Sequence, residues 1–171
     1  MDVSNFKMHD WLMAGGGLLM IIALFPGWSS ISFGGASSSG DNPFDYFFTG
    51  GISWIIVVVL GIVATIRSLG NKIADNLPWT IINALGGALA GILMLLRIIM
   101  GGRSELGIDL DRGTGMYIGF VAAMVFGAGA IMAFTASGGS LKDLADPNKL
   151  KDAFAEDDSG DGEMPPPPPA D

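Results

Sequence analysis

The sequence contains no cysteine and a single histidine, His9. The missing thiols exclude disulfide bonds, thiolate-bound metals and cysteine nucleophiles, and one imidazole makes a histidine metal site or a catalytic triad implausible. The sequence also lacks a phosphate-binding loop, a GxSxG turn and an HExxH motif. We therefore expect a protein that is not an enzyme, with no catalytic residues, no cofactor and no metal site.

Charged residues are scarce as well. They make up 15% of the 171 residues, against about 25% in a typical soluble protein, whereas hydrophobic residues make up 50%. The net charge of −8 comes largely from the carboxy-terminal tail. No basic patch is present that could neutralise phosphates, so we expect no nucleic-acid partner. The composition indicates a membrane protein whose main partner is the lipid bilayer.

Four long apolar runs hold most of the hydrophobic residues. As a helix of about 1.5 Å rise per residue, the last run, 115–136, is about 33 Å long and can cross a ~30 Å hydrocarbon core. The expected fold is all-α, a polytopic transmembrane four-helix bundle over 1–137 with a disordered, cytoplasmic C-terminal tail over 138–171. The expected spans are about 11–28, 51–66, 78–100 and 115–136.

Trp11 and Trp28 flank the first run, as aromatic residues often do at both membrane interfaces. The alternative is a cleaved signal peptide. The segment before the run has one Lys and two Asp, and the best small-residue cleavage site is distant, at 34–36. We therefore expect a retained span, followed by a Ser/Gly loop over 29–50. The aromatic cluster at 44–48 then either anchors the next span or forms a binding surface.

The distribution of Lys and Arg predicts the orientation of the spans. Six of the nine Lys and Arg residues lie in the amino end, the 67–77 turn and the tail, whereas the other three lie in or near the 101–114 loop. The 29–50 loop contains none. This asymmetry predicts a multi-pass protein of the bacterial plasma membrane with both termini in the cytoplasm.

Small residues recur along the apolar runs and predict close helix packing. Such faces serve either packing within one bundle or association with a second copy or another membrane protein, and both alternatives stay open. The candidate packing residues are Gly87, Gly91, Gly115, Gly119, Ala123 and Gly127.

The third run carries two polar residues, Asn83 and Arg97, on one helical face. Polar groups in hydrocarbon are costly and usually face a bundle interior or a cavity. One interpretation is that both residues line a path for a solute or ion. The other is that Asn83 bonds a neighbouring helix while Arg97 extends its charge to the interface.

The tail has three features. Asp146-Pro147 is a typical helix start, so the residues after it form either a short interfacial helix or a linker. Residues 156–171 are acidic and of low complexity and cannot bury enough apolar surface to fold. Their proline-rich end, 165–169, should adopt polyproline II, which either docks a cytoplasmic partner or is simply solvated. A calcium loop at 157–168 is excluded because Pro168 stands where a Glu is required.

Several of these segments together resemble a group of small, uncharacterised four-span membrane proteins of the actinobacterial type. The resemblance covers about residues 9–136 and is carried by Asp10-Trp11, Gly15-Gly16-Gly17, 25–28 (FPGW) and 115–119 (GMYIG). Gly27 departs from the group's pattern by separating Pro26 from Trp28. The resemblance implies four spans, and the group has no established activity that it could transfer. We expect a membrane scaffold or accessory subunit; the alternative is a small channel or transporter subunit.

Overall fold

The computed structural model describes residues 6–33, 36–74, 77–101, 104–105 and 108–155. The tail from 156 onward, with its proline-rich end, and Arg103 lie outside the described residues. The fold is mostly helical, as predicted. Its helices are α1 (Met8–Ile22), α2 (Ile52–Ser68), α3 (Trp79–Met100), α4 (Thr114–Ala136) and α5 (Pro147–Ala155).

Three helical segments, Pro43–Ser68, Trp79–Met100 and Thr114–Ala136, are long and apolar enough to cross a membrane. They indicate a membrane protein. The first apolar helix, α1, is shorter, with 15 residues, or about 22 Å. It ends at Ile22, because the chain turns at 23–28 where a span to Trp28 was predicted.

The first four helices form a bundle in which α1 packs on α2 and α4, and α3 packs on the same two helices. Glycine pairs allow the close approaches. A Cβ built on Gly87 would lie 2.9 Å from Gly127 Cα, and one on Gly17 would lie 3.2 Å from Gly61 Cα. These backbones pack more closely than side chains would permit, as small residues allow in membrane helices.

The bundle has two different ends. The hairpin end contains the described residues of 23–51 and 101–113. The turn end contains the start of α1, the described residues of the 69–78 turn and the end of α4. At the hairpin end the predicted Ser/Gly loop is instead an antiparallel β-hairpin of β1 (Ser29–Phe33) and β2 (Ala36–Gly40), paired from Ser29–Gly40 to Phe33–Ala36.

Three further short strands complete the hairpin end. The strands β3 (Ser104–Glu105) and β4 (Ile108–Asp109) pair with each other, and β5 (Asp111–Arg112) adds to β1. The expectation of an all-α fold is therefore too narrow. These strands are rich in serine and glycine and lack the alternation of apolar and polar residues that predicts a strand.

The helix leading back from the hairpin end begins earlier than the predicted span at 51. Asn42 caps a 3₁₀ turn, Pro43–Tyr46, with its Oδ1 accepting from Phe44 N at 2.8 Å. A π-helical turn, Phe47–Gly51, then joins it to α2. The aromatic cluster at 44–48 thus belongs to the helical segment itself.

Candidate functional site

Trp28 is the centre of the hairpin end. Its side chain is 0% exposed, and its indole Nε1 donates to Ala23 O at 2.7 Å. The ring lies against α4, where a Cβ on Gly115 would be 2.5 Å from Trp28 Cδ1 and one on Gly119 would be 3.1 Å from Cζ2. The prediction that Trp28 lies in an interfacial aromatic belt is therefore wrong, because the glycines of α4 make room for it inside the bundle.

Backbone hydrogen bonds fasten the segment around Trp28 to its neighbours. Gly115 N donates to Gly27 O at 3.0 Å, Gly113 N donates to Trp28 O at 2.9 Å, and Trp28 N donates to Asp41 O at 3.2 Å. The FPGW segment and the start of α4, which were notable separately in the sequence, thus contact each other. They form a structural joint between α1, the β-hairpin and α4.

Arg97 lies beside this joint, near the carboxy end of α3. It is 6% exposed, and its Nη2 donates to Gly101 O at 2.6 Å. Its guanidinium carbon is 3.5 Å from the centroid of the Tyr46 ring, a close cation–π contact. The Tyr46 hydroxyl donates in turn to Asp41 Oδ2 at 2.7 Å. Arg97 thus extends toward the end of its helix, but under the hairpin rather than into solvent.

Arg97, Tyr46 and Asp41 form what we call the arginine cluster. It connects α3 to the turn before α2 and to the residue that follows β2. Arg112 adds a further link, because its Nε donates to Ile98 O at 2.8 Å. The polar groups of the cluster face one another, which suits them to hold the hairpin on the bundle.

The turn end contains a cavity of about 280 Å³ that all four bundle helices line. We call it the turn-end cavity. Its polar lining residues are Lys7, His9, Asp10, Arg67, Ser68, Thr80, Asn83 and Ser137, with the Trp79 indole beside them. They come from the first turns of α1 and α3, the last turn of α2 and the end of α4, so the cavity opens at the turn end.

Asn83 forms part of the floor of the turn-end cavity. It is 6% exposed, and its Oδ1 accepts no hydrogen bond from any residue that the structure describes. The interpretation that this oxygen bonds a neighbouring helix is therefore wrong. A buried acceptor without a donor costs about 1–3 kcal/mol, so this carboxamide is placed at a cost to stability.

Asp10 and Ser68 join the walls of the cavity. Ser68 Oγ donates to Asp10 Oδ1 at 2.8 Å, and Lys7 N donates to Asp10 Oδ2 at 2.9 Å. His9 Nε2 lies 3.7 Å from the same Asp10 Oδ1. Although Ser, His and Asp meet here, they do not form a triad, because the hydroxyl is bonded to the carboxylate and not to the imidazole.

Asn83 and Arg97 occupy opposite ends of α3, 14 positions apart, or about 21 Å. Between them Met94 is fully buried on α3, as is Phe126 on α4. A Cβ on Gly16 of α1 would lie 2.7 Å from Phe126 N, so the helices meet tightly at this depth. The turn-end cavity therefore ends at Asn83 and does not reach Arg97.

The candidate packing residues fall into two groups. Gly115, Gly119, Ala123 and Gly127 are all buried within the bundle. Gly91 differs, because a Cβ there would meet only Met124 Sδ, at 3.8 Å. It lies in an open apolar depression of about 500 Å³ between α3 and α4, the lateral groove, lined by Gly87, Ala88, Gly91, Ile92, Leu95, Phe120, Ala123, Met124, Gly127, Ala128 and Ile131.

The sequence pattern identified Asn83 but missed the residues that surround it. Asp10, Ser68 and Arg67 lie at the ends of separate apolar runs, where polar residues are expected at an interface anyway. Only the packing of α1 against α2 brings Asp10 and Ser68 together. Among the described residues, no three His, Asp or Glu side chains form a group that could hold a metal ion.

No protein-family model, no curated protein and no solved structure matches this chain. The fold and the geometry of its sites are thus the basis for a functional proposal.

Proposed function

We propose that this chain is a non-enzymatic scaffold or accessory subunit of the bacterial plasma membrane, with four spans and both termini in the cytoplasm. The observation that carries the proposal is the lateral groove. It is an open, apolar depression on the lipid-facing side of the bundle, and six of its eleven lining residues are Gly or Ala. Such a surface fits another transmembrane helix.

The proposal of four spans rests on how α1 accompanies α4. At one end of this pair, a Cβ on Gly129 would lie 2.9 Å from His9 O; at the other, Gly115 N donates to Gly27 O. Residues 9–27 therefore run alongside most of α4. This length supports a fourth crossing beside α4, even though the regular helix of α1 is short.

Single cysteines test the sidedness, because the chain has none of its own. Ser38→Cys on β2 and Ser140→Cys after α4 are both exposed positions. In intact cells, a membrane-impermeant maleimide should label the first and not the second. The reverse pattern would contradict a cytoplasmic carboxy terminus, and labelling of both would contradict three crossings between the two positions.

The occupant that we propose for the lateral groove is an apolar helix of a partner membrane protein. Lipid tails are as apolar as a partner's side chains, so association in a bilayer depends on close packing. Gly91 permits this packing, since its missing side chain leaves room that this chain does not fill. Gly87 and Gly127, in contrast, already serve the contact between α3 and α4.

A benzophenone attached to Gly91→Cys tests this occupant in native membranes. Val59 on α2 is 50% exposed and lies outside the groove, so Val59→Cys is the matched control. We expect one discrete, stoichiometric adduct from the groove position, and its partner should co-purify less well with Gly91→Leu than with Val59→Leu. Adducts with lipid only would refute the proposal that the groove binds a partner helix. An adduct with a second copy of this chain would show that the groove serves a homo-oligomer and not a different partner.

The tail supplies a second route to a partner. In the proposed orientation, its proline-rich end at 165–169 faces the cytoplasm, where it could dock an aromatic groove. Deleting 156–171 should then abolish recovery of one cytoplasmic protein in a native pull-down while membrane insertion is unchanged. Equal recovery with and without these residues would refute recruitment by the tail.

The alternative function is a small channel or transporter subunit in which Asn83 and Arg97 line a path. The turn-end cavity at Asn83 favours it, whereas the buried Met94 and Phe126 between the two residues oppose it. Liposomes that contain the wild-type chain should then conduct a solute from a broad panel, and Asn83→Leu should abolish that flux. An absence of flux for every solute would refute this alternative.

A further inference from the structure

We propose that the partner helix in the lateral groove continues at the turn end into a second depression, beside α5, where it presents an apolar side chain followed by Lys or Arg. We call this depression of about 310 Å³ the α5 pocket. The inference rests on the proposed function, because it requires a partner in the lateral groove. It specifies which residues that partner presents where it leaves the membrane on the cytoplasmic side.

The α5 pocket lies on the same side of the bundle as the lateral groove. Ile81 of α3 and Phe134 of α4 line the pocket. Seven residues away on the same two helices, Ala88 and Gly127 line the groove. Seven residues make almost two helical turns, so each pair shares one face of its helix, at a rise of about 10 Å. A helix in the groove that extends by this length toward the turn end therefore reaches the α5 pocket.

The chain returns to the bundle directly after α4, and this return places α5 at the pocket. Gly139 N donates to Phe134 O at 3.2 Å, and a Cβ on Gly139 would overlap the Phe134 ring, so the glycine permits a close contact. Asp143 then accepts hydrogen bonds from Ser140 N at 2.9 Å and from Lys149 Nζ. These bonds connect α5 to the turn after α4, so α5 forms a wall of the pocket before any partner binds.

The floor of the α5 pocket favours an apolar side chain. Its apolar lining residues are Ile81, Phe134, Leu144, Leu150 and Ala153. The last three are only half-buried, so part of their apolar surface stays uncovered. Near the aqueous phase, unlike in the hydrocarbon core, covering such a surface is favourable because it is removed from water. The pocket can therefore add the hydrophobic effect to a contact that depends only on close packing inside the membrane.

The rim of the α5 pocket favours a basic residue on the partner. Its charged lining side chains are two acids, Asp143 and Asp152, and one base, Lys149, which bonds Asp143. The lining therefore carries one net negative charge. Lys142 and Lys151, the other lysines of this segment, are exposed and lie outside the lining. In the proposed orientation this end is cytoplasmic, where the segments that flank membrane spans are rich in Lys and Arg.

A benzophenone attached to Ala153→Cys tests whether the partner reaches the α5 pocket. Ala153 lines the pocket, whereas Asn148 is exposed on α5 outside the lining, so Asn148→Cys is the matched control. In native membranes, we expect Ala153→Cys to form an adduct with the same protein that Gly91→Cys captures, and Asn148→Cys to form none. Peptide mapping should place this adduct within about four residues, or one helical turn, of a Lys or Arg at the end of the captured span.

The two labelled positions separate this inference from the proposed function. If Gly91→Cys captures a partner but Ala153→Cys captures only lipid or a different protein, the extension into the α5 pocket is wrong and the proposed function stands. An adduct that maps to a segment without Lys or Arg would overturn the extension in the same way. If Gly91→Cys captures no protein, the proposed function fails, and this inference fails with it.

A charge reversal tests the rim of the α5 pocket. Asp152→Lys should reduce the amount of co-purified partner by about threefold, as expected for an exposed ion pair, because it replaces an attractive charge with a repulsive one. Asp111→Lys, which is exposed at the hairpin end, is the matched control and should change nothing. Thermal unfolding verifies that both variants are folded. Replacing the partner's mapped Lys or Arg with Asp should restore binding to Asp152→Lys, whereas equal co-purification with the two variants would overturn the assignment of a basic residue.

Discussion

At the hairpin end, Arg97 faces the ring of Tyr46 and bonds Gly101, while Tyr46 bonds Asp41. At the turn end, Asn83 is as deeply buried as Arg97, yet its Oδ1 accepts nothing from the described residues. The same helix, α3, positions both residues. Arg97 Nε also lacks a partner in the described part of the chain, so the contrast lies in the contacts that fasten Arg97 to the hairpin end and that Asn83 Oδ1 lacks. Burial alone does not show which polar residue holds the fold together; its contacts do.

The glycines show the same contrast. At the glycines of α4 near the hairpin end, Trp28 and backbone atoms occupy the space that a side chain would need. Gly91, in contrast, borders open space. A glycine whose side-chain space is occupied by a neighbouring residue is required for the fold. A glycine that borders open space leaves room for another molecule to pack there. The following predictions test each side of this comparison.

We expect the largest effect from Gly115→Ala. A Cβ at this position would lie 2.2 Å from Pro26 O, and a backbone atom cannot move aside cheaply. Overpacking of this kind costs about 3 kcal/mol, which corresponds to a Tm lower by roughly 6–12 °C for a chain of this size. Thermal unfolding in detergent, followed by circular dichroism, measures the change.

Gly91→Ala is the matched control for Gly115→Ala, because both substitutions add one methyl group to an apolar helix. At Gly91 the added carbon meets only Met124 Sδ, at 3.8 Å, so the Tm should hardly change. Equal melting temperatures for the two variants would contradict the contrast between a glycine packed against neighbouring atoms and one that borders open space.

The next effect concerns the arginine cluster. Tyr46→Leu removes the ring under the guanidinium and should cost about 2 kcal/mol, the upper range for a desolvated cation–π contact. Tyr46→Phe keeps the ring and loses the hydrogen bond from the hydroxyl to Asp41, which is worth about 1 kcal/mol. Urea unfolding of both variants compares them. Because Tyr46→Leu loses the hydroxyl as well as the ring, an equal loss in the two variants would show that the hydroxyl, and not the ring, holds Arg97.

The sequence predicted the helices well for a physical reason. Long, largely apolar runs such as 78–100 and 115–136 favour helices in a membrane, since a helix bonds the backbone groups within the segment itself. The helix after Asp146 was also predictable, because its cap is local: Asn148 N donates to Asp146 Oδ1 at 3.0 Å. Both features depend only on neighbouring residues.

The sites could be predicted only in part, because they depend on contacts between distant segments. The spacing of Asn83 and Arg97 placed them correctly on one face of α3, but it could not show that packed side chains separate them. The burial of Trp28 depends on glycines almost ninety residues later in the sequence. A tryptophan at the end of an apolar run is more typical of an interface, so the local pattern indicated the wrong environment.

A smaller effect of opposite sign is expected for Asn83→Leu at the turn end. Removing an acceptor that has no donor among the described residues should raise the free energy of unfolding by about 1 kcal/mol. Chemical denaturation measures the change.

Ser53→Ala is the comparison for Asn83→Leu. Ser53 is 0% exposed, but its hydroxyl has acceptors on Thr49 and, at 3.3 Å, on Ala90 of α3. Its removal should lower stability by about 1 kcal/mol. If both substitutions destabilised the protein equally, Asn83 would be a satisfied structural residue and the distinction between the two ends would fail.

The smallest effect concerns α5, which lies beside the turn end. Lys149 Nζ bonds Asp143, and this bond, with a further one from Ser140 N, lowers the pKa of the Asp143 carboxyl below its ordinary 3.8. A carboxyl whose pKa is lower in the folded state stabilises it above the ordinary value, and that contribution is lost as the pH falls through the lowered one. Hydrogen exchange of the α5 amides should therefore show less protection below about pH 4. Asp143→Asn should remove this pH dependence while leaving the bundle helices unchanged; a dependence that persists in the variant would assign it to another group.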